Sequence, residues 1–165
     1  MQIPFAPEHV WTVSPAGQLW TSDAELYRIH RVDLPGDTTL TIVRDAPPIP
    51  VTAEEHAKAI EGVERFMQGN RYDADQIPEF KPPMQRIAVD DSGFVWVQRP
   101  DEDGAVESAL DIFDRDGRFL GTVTTAYPAS MYPRFVVRGD RLYYVTHDDL
   151  DVQYVVASEI NRKRP

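Results

Sequence analysis

Apolar and polar residues alternate in short runs broken by turn residues along most of the chain. That pattern predicts strands of a few residues joined by tight turns. Trp11-Thr-Val-Ser-Pro-Ala-Gly17-Gln-Leu-Trp20 matches Ile87-Ala-Val-Asp-Asp-Ser-Gly93-Phe-Val-Trp96 at an offset of 76 residues (11 to 87). Phe135-Val-Val-Arg-Gly139-Asp-Arg-Leu-Tyr143 is a copy one residue shorter. Each unit reads as a hairpin, in which Gly takes the positive-φ position and β-branched and aromatic residues fill the pleats. A second element repeats at an offset of 81 (33 to 114, and 36 to 117): Val32-Asp33-Leu-Pro-Gly36 before Leu40 to Val43, and Phe113-Asp114-Arg-Asp-Gly117 before Gly121 to Thr124.

Together these units predict an all-β fold in one domain spanning 1–165, with four-stranded modules at 11–43 and 87–124 and an incomplete one at 135–160. The last contributes three strands, ending with Val152 to Ile160, and a fourth is missing.

The periodicity changes between the first two modules, over residues 44–85. Ala46-Pro-Pro-Ile-Pro50 forbids helix and central strand. Thr52-Ala-Glu-Glu55 then has the form of a capping box. Ala53, Ala57, Ile60, Val63 and Met67, with Phe66 beside them, recur at helical spacing, and Gly69-Asn70 stops the run. A second Pro cluster, Pro78 to Pro83, leads into the next module. The insertion therefore predicts one amphipathic helix of about sixteen residues, strapped across the β-structure by stiff arms.

Composition narrows the function classes. Lys plus Arg is 17 and Asp plus Glu is 27, giving a net charge of −10. That sign argues against nucleic acid, whose phosphates reward basic patches, and against anionic membrane surfaces. Apolar runs such as Leu142 to Val145 fall far short of the roughly twenty residues of a membrane-spanning helix. Met1-Gln2-Ile3-Pro4-Phe5 has neither a basic start nor an apolar stretch, so no signal peptide is expected in this chain. With no Cys there is no disulfide framework, thiolate metal site or Cys nucleophile.

The phrases Ile87-Ala-Val-Asp-Asp-Ser-Gly-Phe-Val-Trp-Val97 and Leu110-Asp-Ile-Phe-Asp-Arg-Asp-Gly-Arg-Phe-Leu120 resemble blades of NHL-type and TolB-type β-propellers. The chain is most similar to bacterial six-bladed propeller proteins of largely unassigned function. In these a Pro-flanked helical insertion opens with a phrase like Val51 to Glu55 here. The likeness covers most of residues 8–160. It implies a partial β-propeller of about three four-stranded antiparallel blades with one inserted helix. A six-bladed ring needs about 250 residues or more, so the chain resembles the C-terminal half of one. It is either a truncated product or a natural half-ring. Open blade edges are a liability, so an isolated half is expected to pair, aggregate or be marginally stable; a homodimer of two half-rings is the pairing that would give six blades. Relatives of this kind are often exported.

Blade geometry then places the candidate site. The loops joining second to third strands share a face with the entrance to the first strand and with the helix. They carry nine carboxylates: Asp23 and Glu25; Asp101, Glu102, Asp103 and Glu107; Asp148, Asp149 and Asp151, the last three beside His147. Arg86 and Arg134 stand at equivalent positions just before a first strand, aimed at the channel mouth. The ligand-binding candidates are thus Arg86, Arg134, His147, Asp148, Asp149, Asp101 and Asp103, with the arginines anchoring an anionic ligand and the carboxylates a cation or cationic partner. Solvated loops and capped turns are the plainer reading of the acidic residues.

Chemistry beyond binding has little support. Asp101-Glu-Asp103-Gly104 and Asp114-Arg-Asp116-Gly117 resemble fragments of calcium loops but lack the further acidic ligands and distal Glu of an EF-hand. Tight turns account for both. No cofactor is expected, with calcium at these Asp-x-Asp-Gly turns the minor alternative. His9, His30, His56 and His147 show no metal-binding spacing, and nucleophile motifs such as Gly-x-Ser-x-Gly are absent. The expected function is a non-catalytic binding or scaffolding propeller segment. The alternative is a metal-assisted hydrolase or lactonase of the six-bladed kind, which needs amide and carboxylate ligands on the axis. The inner strands carry Val, Ile and Phe instead.

Overall fold

The computed structural model describes residues 3–23, 25–33, 35–66, 74–130 and 135–160. The predicted helix end at Met67 and Gly69-Asn70 and the candidate Arg134 lie outside the described residues.

Eleven strands form three antiparallel sheets in the described chain, each a simple up-and-down meander. The first sheet holds β1 (Trp11–Val13), β2 (Leu19–Ser22), β3 (Arg28–Asp33) and β4 (Asp37–Val43). The second holds β5 (Arg86–Val89), β6 (Val95–Gln98), β7 (Ala109–Phe113) and β8 (Phe119–Thr124). The third has only β9 (Val136–Arg138), β10 (Arg141–His147) and β11 (Gln153–Glu159). The all-β expectation is therefore met, in three antiparallel sheets with one helix, α1 (Ala53–Phe66).

The repeat persists at the level of backbone detail. Val13 pairs with Leu19, Val89 with Val95, and Val137 with Leu142. A register shift occurs at Arg31/Val32 in the first sheet and at the equivalent Ile112/Phe113 in the second. Turns repeat too: Asp90 accepts from the amides of Ser92 and Phe94, Asp114 from those of Asp116 and Arg118, and Asp148 from those of Leu150 and Val152. The backbone must turn left-handed at the fourth residue of each. Gly93 and Gly117 do so at φ 82° without strain, whereas Asp151 does so at φ 60° as a non-glycine.

The sheets are stacked in chain order, with β1 beside β5 and β5 beside β9. One face of the second sheet (Ile87, Val95, Val97, Phe113) buries against Trp20, Ile29 and Ile42 of the first. Its opposite face (Trp96, Leu110) buries against Phe135, Val137, Leu142 and Tyr144 of the third. Period-2 alternation, apolar on both faces, is what lets the middle sheet do this. Trp11 departs from the expected packing role of the strand aromatics: it is half exposed, because it lies on the outer face of the first sheet.

Candidate functional site

The helical strap is tied at its N-terminus by a chain of polar contacts, and its apolar face packs on Ile77 through Val63, Ala59 and Ile60. The capping box forms as expected: the Thr52 hydroxyl accepts from the Glu55 amide at 3.1 Å, and Glu55 Oε2 accepts from the Thr52 amide at 3.0 Å. The other Glu55 oxygen pairs with Lys81, whose side chain is 4% exposed. Lys81 Nζ also donates to the Asp101 carbonyl at 2.6 Å, and Thr52 Oγ1 donates to Asp103 Oδ2 at 2.8 Å. A buried ammonium is costly unless paired and hydrogen-bonded. Lys81, with a carboxylate and a carbonyl, meets that condition. The helix N-terminus and the β6–β7 loop are thereby joined.

Beside this junction lies a groove of about 550 Å³. One wall is the N-terminal segment (Ile3, Pro4, Phe5), the second is α1 at Glu55, Lys58 and Ala59, and the floor is Met84 to Arg86 with Val10. Phe5 adopts φ 58°, and its ring lies 5.9 Å from Lys81 Nζ. The groove sits where first strands begin: Val10 immediately precedes β1 and Arg86 opens β5. Its walls are mainly apolar. Its charged lining is Glu8 and Glu55 against Lys58, Lys81 and Arg86, one positive charge in surplus within a chain of net charge −10.

The sequence candidates divide among different places. Arg86 is buried, lines the groove, and donates through Nη1 to the Gln85 carbonyl at 2.7 Å. Asp103 is exposed and bound to Thr52. Asp101 turns inward, accepting from the Ser108 hydroxyl at 3.0 Å. Burial raises its pKa above the usual carboxylate value, against the lowering effects of the Ser108 hydrogen bond and of Lys81. His147, Asp148 and Asp149 are exposed at the β10–β11 turn, and Asp148 caps that turn. Among the described residues, no three His, Asp or Glu side chains come together as a metal ion would require.

A second polar cluster was not anticipated from the sequence. Asp111 of β7 is fully buried between the first two sheets. It accepts from the Tyr27 hydroxyl at 2.8 Å and from Thr122 Oγ1 at 2.5 Å, and it pairs with Arg44. The Arg44 guanidinium lies 4.1 Å over the Phe119 ring. Burial drives the Tyr27 phenol far above its ordinary pKa, outweighing the opposite pull of Arg44 and Arg99. Burial also lowers the pKa of Arg44. The signal for this clasp was a lone Asp inside Ala-Leu-Asp-Ile-Phe, on the same strand face as Phe113.

Comparison with models of known protein families and with curated protein sequences finds no match for this chain.

Proposed function

We propose that the chain is a non-catalytic binding segment, made of three consecutive blades of a β-propeller, whose groove takes a small apolar molecule bearing one anionic group. The observation that carries this reading is the groove itself. An apolar trough of about 550 Å³ has a buried arginine, Arg86, in its floor, and its lining is net positive in an acidic chain. Concave, mainly apolar sites with a few placed polar groups are where small molecules bind. The apolar walls supply burial and the guanidinium supplies orientation. Side-by-side first strands support the blade reading, since they set the groove at the inner ends of two sheets.

The test uses two probes with the same apolar body, anionic 1-anilinonaphthalene-8-sulfonate and uncharged N-phenyl-1-naphthylamine, titrated by fluorescence well below the melting transition. Saturable binding of both to the native protein is expected. Arg86→Met should weaken the anionic probe about tenfold or more, since a charge-assisted hydrogen bond contributes roughly 1.5–3 kcal/mol. The neutral probe should bind the variant as before, which also reports that the groove is intact. Equal loss of both probes, or no saturable binding, would overturn the reading.

A further inference from the structure

The repeat equivalence defines two distinct faces for every sheet, and it leaves one of each uncovered at opposite ends of the stack. In the second sheet, Ile87, Val89 and Val95 lie on the face that packs toward the first sheet. At the 76-residue offset their equivalents in the first sheet are Trp11, Val13 and Leu19. These three are exposed, at 50%, 56% and 38%.

The other face of the second sheet, with Ala88 and Trp96, packs toward the third sheet. Its equivalents in the third sheet are Val136 and Tyr143, which pair with each other across β9 and β10. Val145 and Val155, also a cross-strand pair, extend the same face. Val136 is 43% exposed and Val155 69%. The stack therefore ends in two apolar faces that are complementary types: the kind that docks forward at one end and the kind that receives it at the other.

We infer that a second copy of this chain covers both faces, head to tail. The third sheet of each copy seats on the first sheet of the other. The contact is of the kind already formed twice within the chain, first sheet to second and second to third, made here over the three strands of the third sheet. A head-to-tail contact must close or it propagates. Radial stacks of such sheets close at about four to eight. Two copies of three sheets fall within that range and three copies do not.

The test is solution mass by light scattering on a size-exclusion column, with two variants at exposed positions that leave the core intact, Val13→Arg and Val155→Arg. Wild type is expected at twice 18.8 kDa. Each variant should run as a folded monomer, with unchanged circular dichroism and melting. Mixing the two variants should restore a dimer of one copy of each, because one undamaged contact remains between them. A wild-type monomer at high micromolar concentration would overturn the inference. So would a ladder of larger masses, a Val155→Arg variant that still dimerises, or a mixture that stays monomeric.

Discussion

The Tyr27 hydroxyl donates to the Asp111 carboxylate at 2.8 Å across 84 residues of sequence, and this bond spans the boundary between the first two sheets. Tyr27 leads into β3 and Asp111 sits in the middle of β7, with Arg44 completing the clasp from the end of β4. Apolar burial alone would let the sheets slide. A buried carboxylate with three defined partners fixes one register, since a slip would leave it unsatisfied.

Removing the acceptor should be costly. Asp111→Ala leaves the Arg44 charge and the Tyr27 hydroxyl without their partner, a loss of about 3–5 kcal/mol. Tyr27→Phe removes one hydrogen bond to a charged group and should cost about 1.5–2 kcal/mol. Combined, the two should cost clearly less than their sum, because the second change removes a bond already broken. Urea unfolding of both variants and the double variant measures this. A loss below about 1 kcal/mol for Asp111→Ala would mean the clasp does not hold the sheets.

The same tyrosine should set the alkaline limit. Burial keeps Tyr27 protonated in the folded state well above the ordinary tyrosine value of 10.0. From about pH 10 upward the unfolded chain therefore binds fewer protons than the native one, and stability falls as pH rises. In Tyr27→Phe this contribution is absent. The stability difference between wild type and variant should shrink steadily above that pH, as read by urea midpoints in alkaline buffers.

Lys81 should control the strap and not the sheets. Lys81→Met leaves Glu55 with its cap role but no counter-charge in a largely buried setting, at a cost of about 3 kcal/mol. Hydrogen exchange should rise across Ala53 to Arg65 while amides of β6 and β7 stay protected. Uniform loss of protection would show instead that helix and sheets unfold as one unit.

Much of the fold was legible because its repeats are local. Asp-x-x-Gly turns, cross-strand apolar pairs and the Thr52/Glu55 capping box all act within a few residues, so their signatures sit together in sequence. The site was legible only in part. Arg86 was singled out as preceding a first strand; it is instead the first residue of β5, paired with Gln98, and it lines the groove. Lys81 was not legible: Phe80-Lys81-Pro82-Pro83 reads as an exposed linker, and its burial depends on Glu55 and on the Asp101 carbonyl, 26 and 20 residues away. Asp101 reads as a rim carboxylate for a similar reason, since the Ser108 hydroxyl that turns it inward comes from the far end of its loop. Trp11 shows the converse. Its alternation is that of a core residue, yet exposure depends on whether another sheet lies beyond it.

The proposed function places ligand binding in the groove between the N-terminal segment, α1 and β5. Amide chemical shifts during titration with decanoate, an apolar body with one carboxylate, test it most directly, with decanol as the uncharged control. Saturable shifts concentrated at Phe5, Ala59, Met84, Gln85 and Arg86 are expected, stronger for decanoate than for decanol. Shifts centred on His147 to Asp151, shifts scattered over the sheet faces, or none at all, would contradict it.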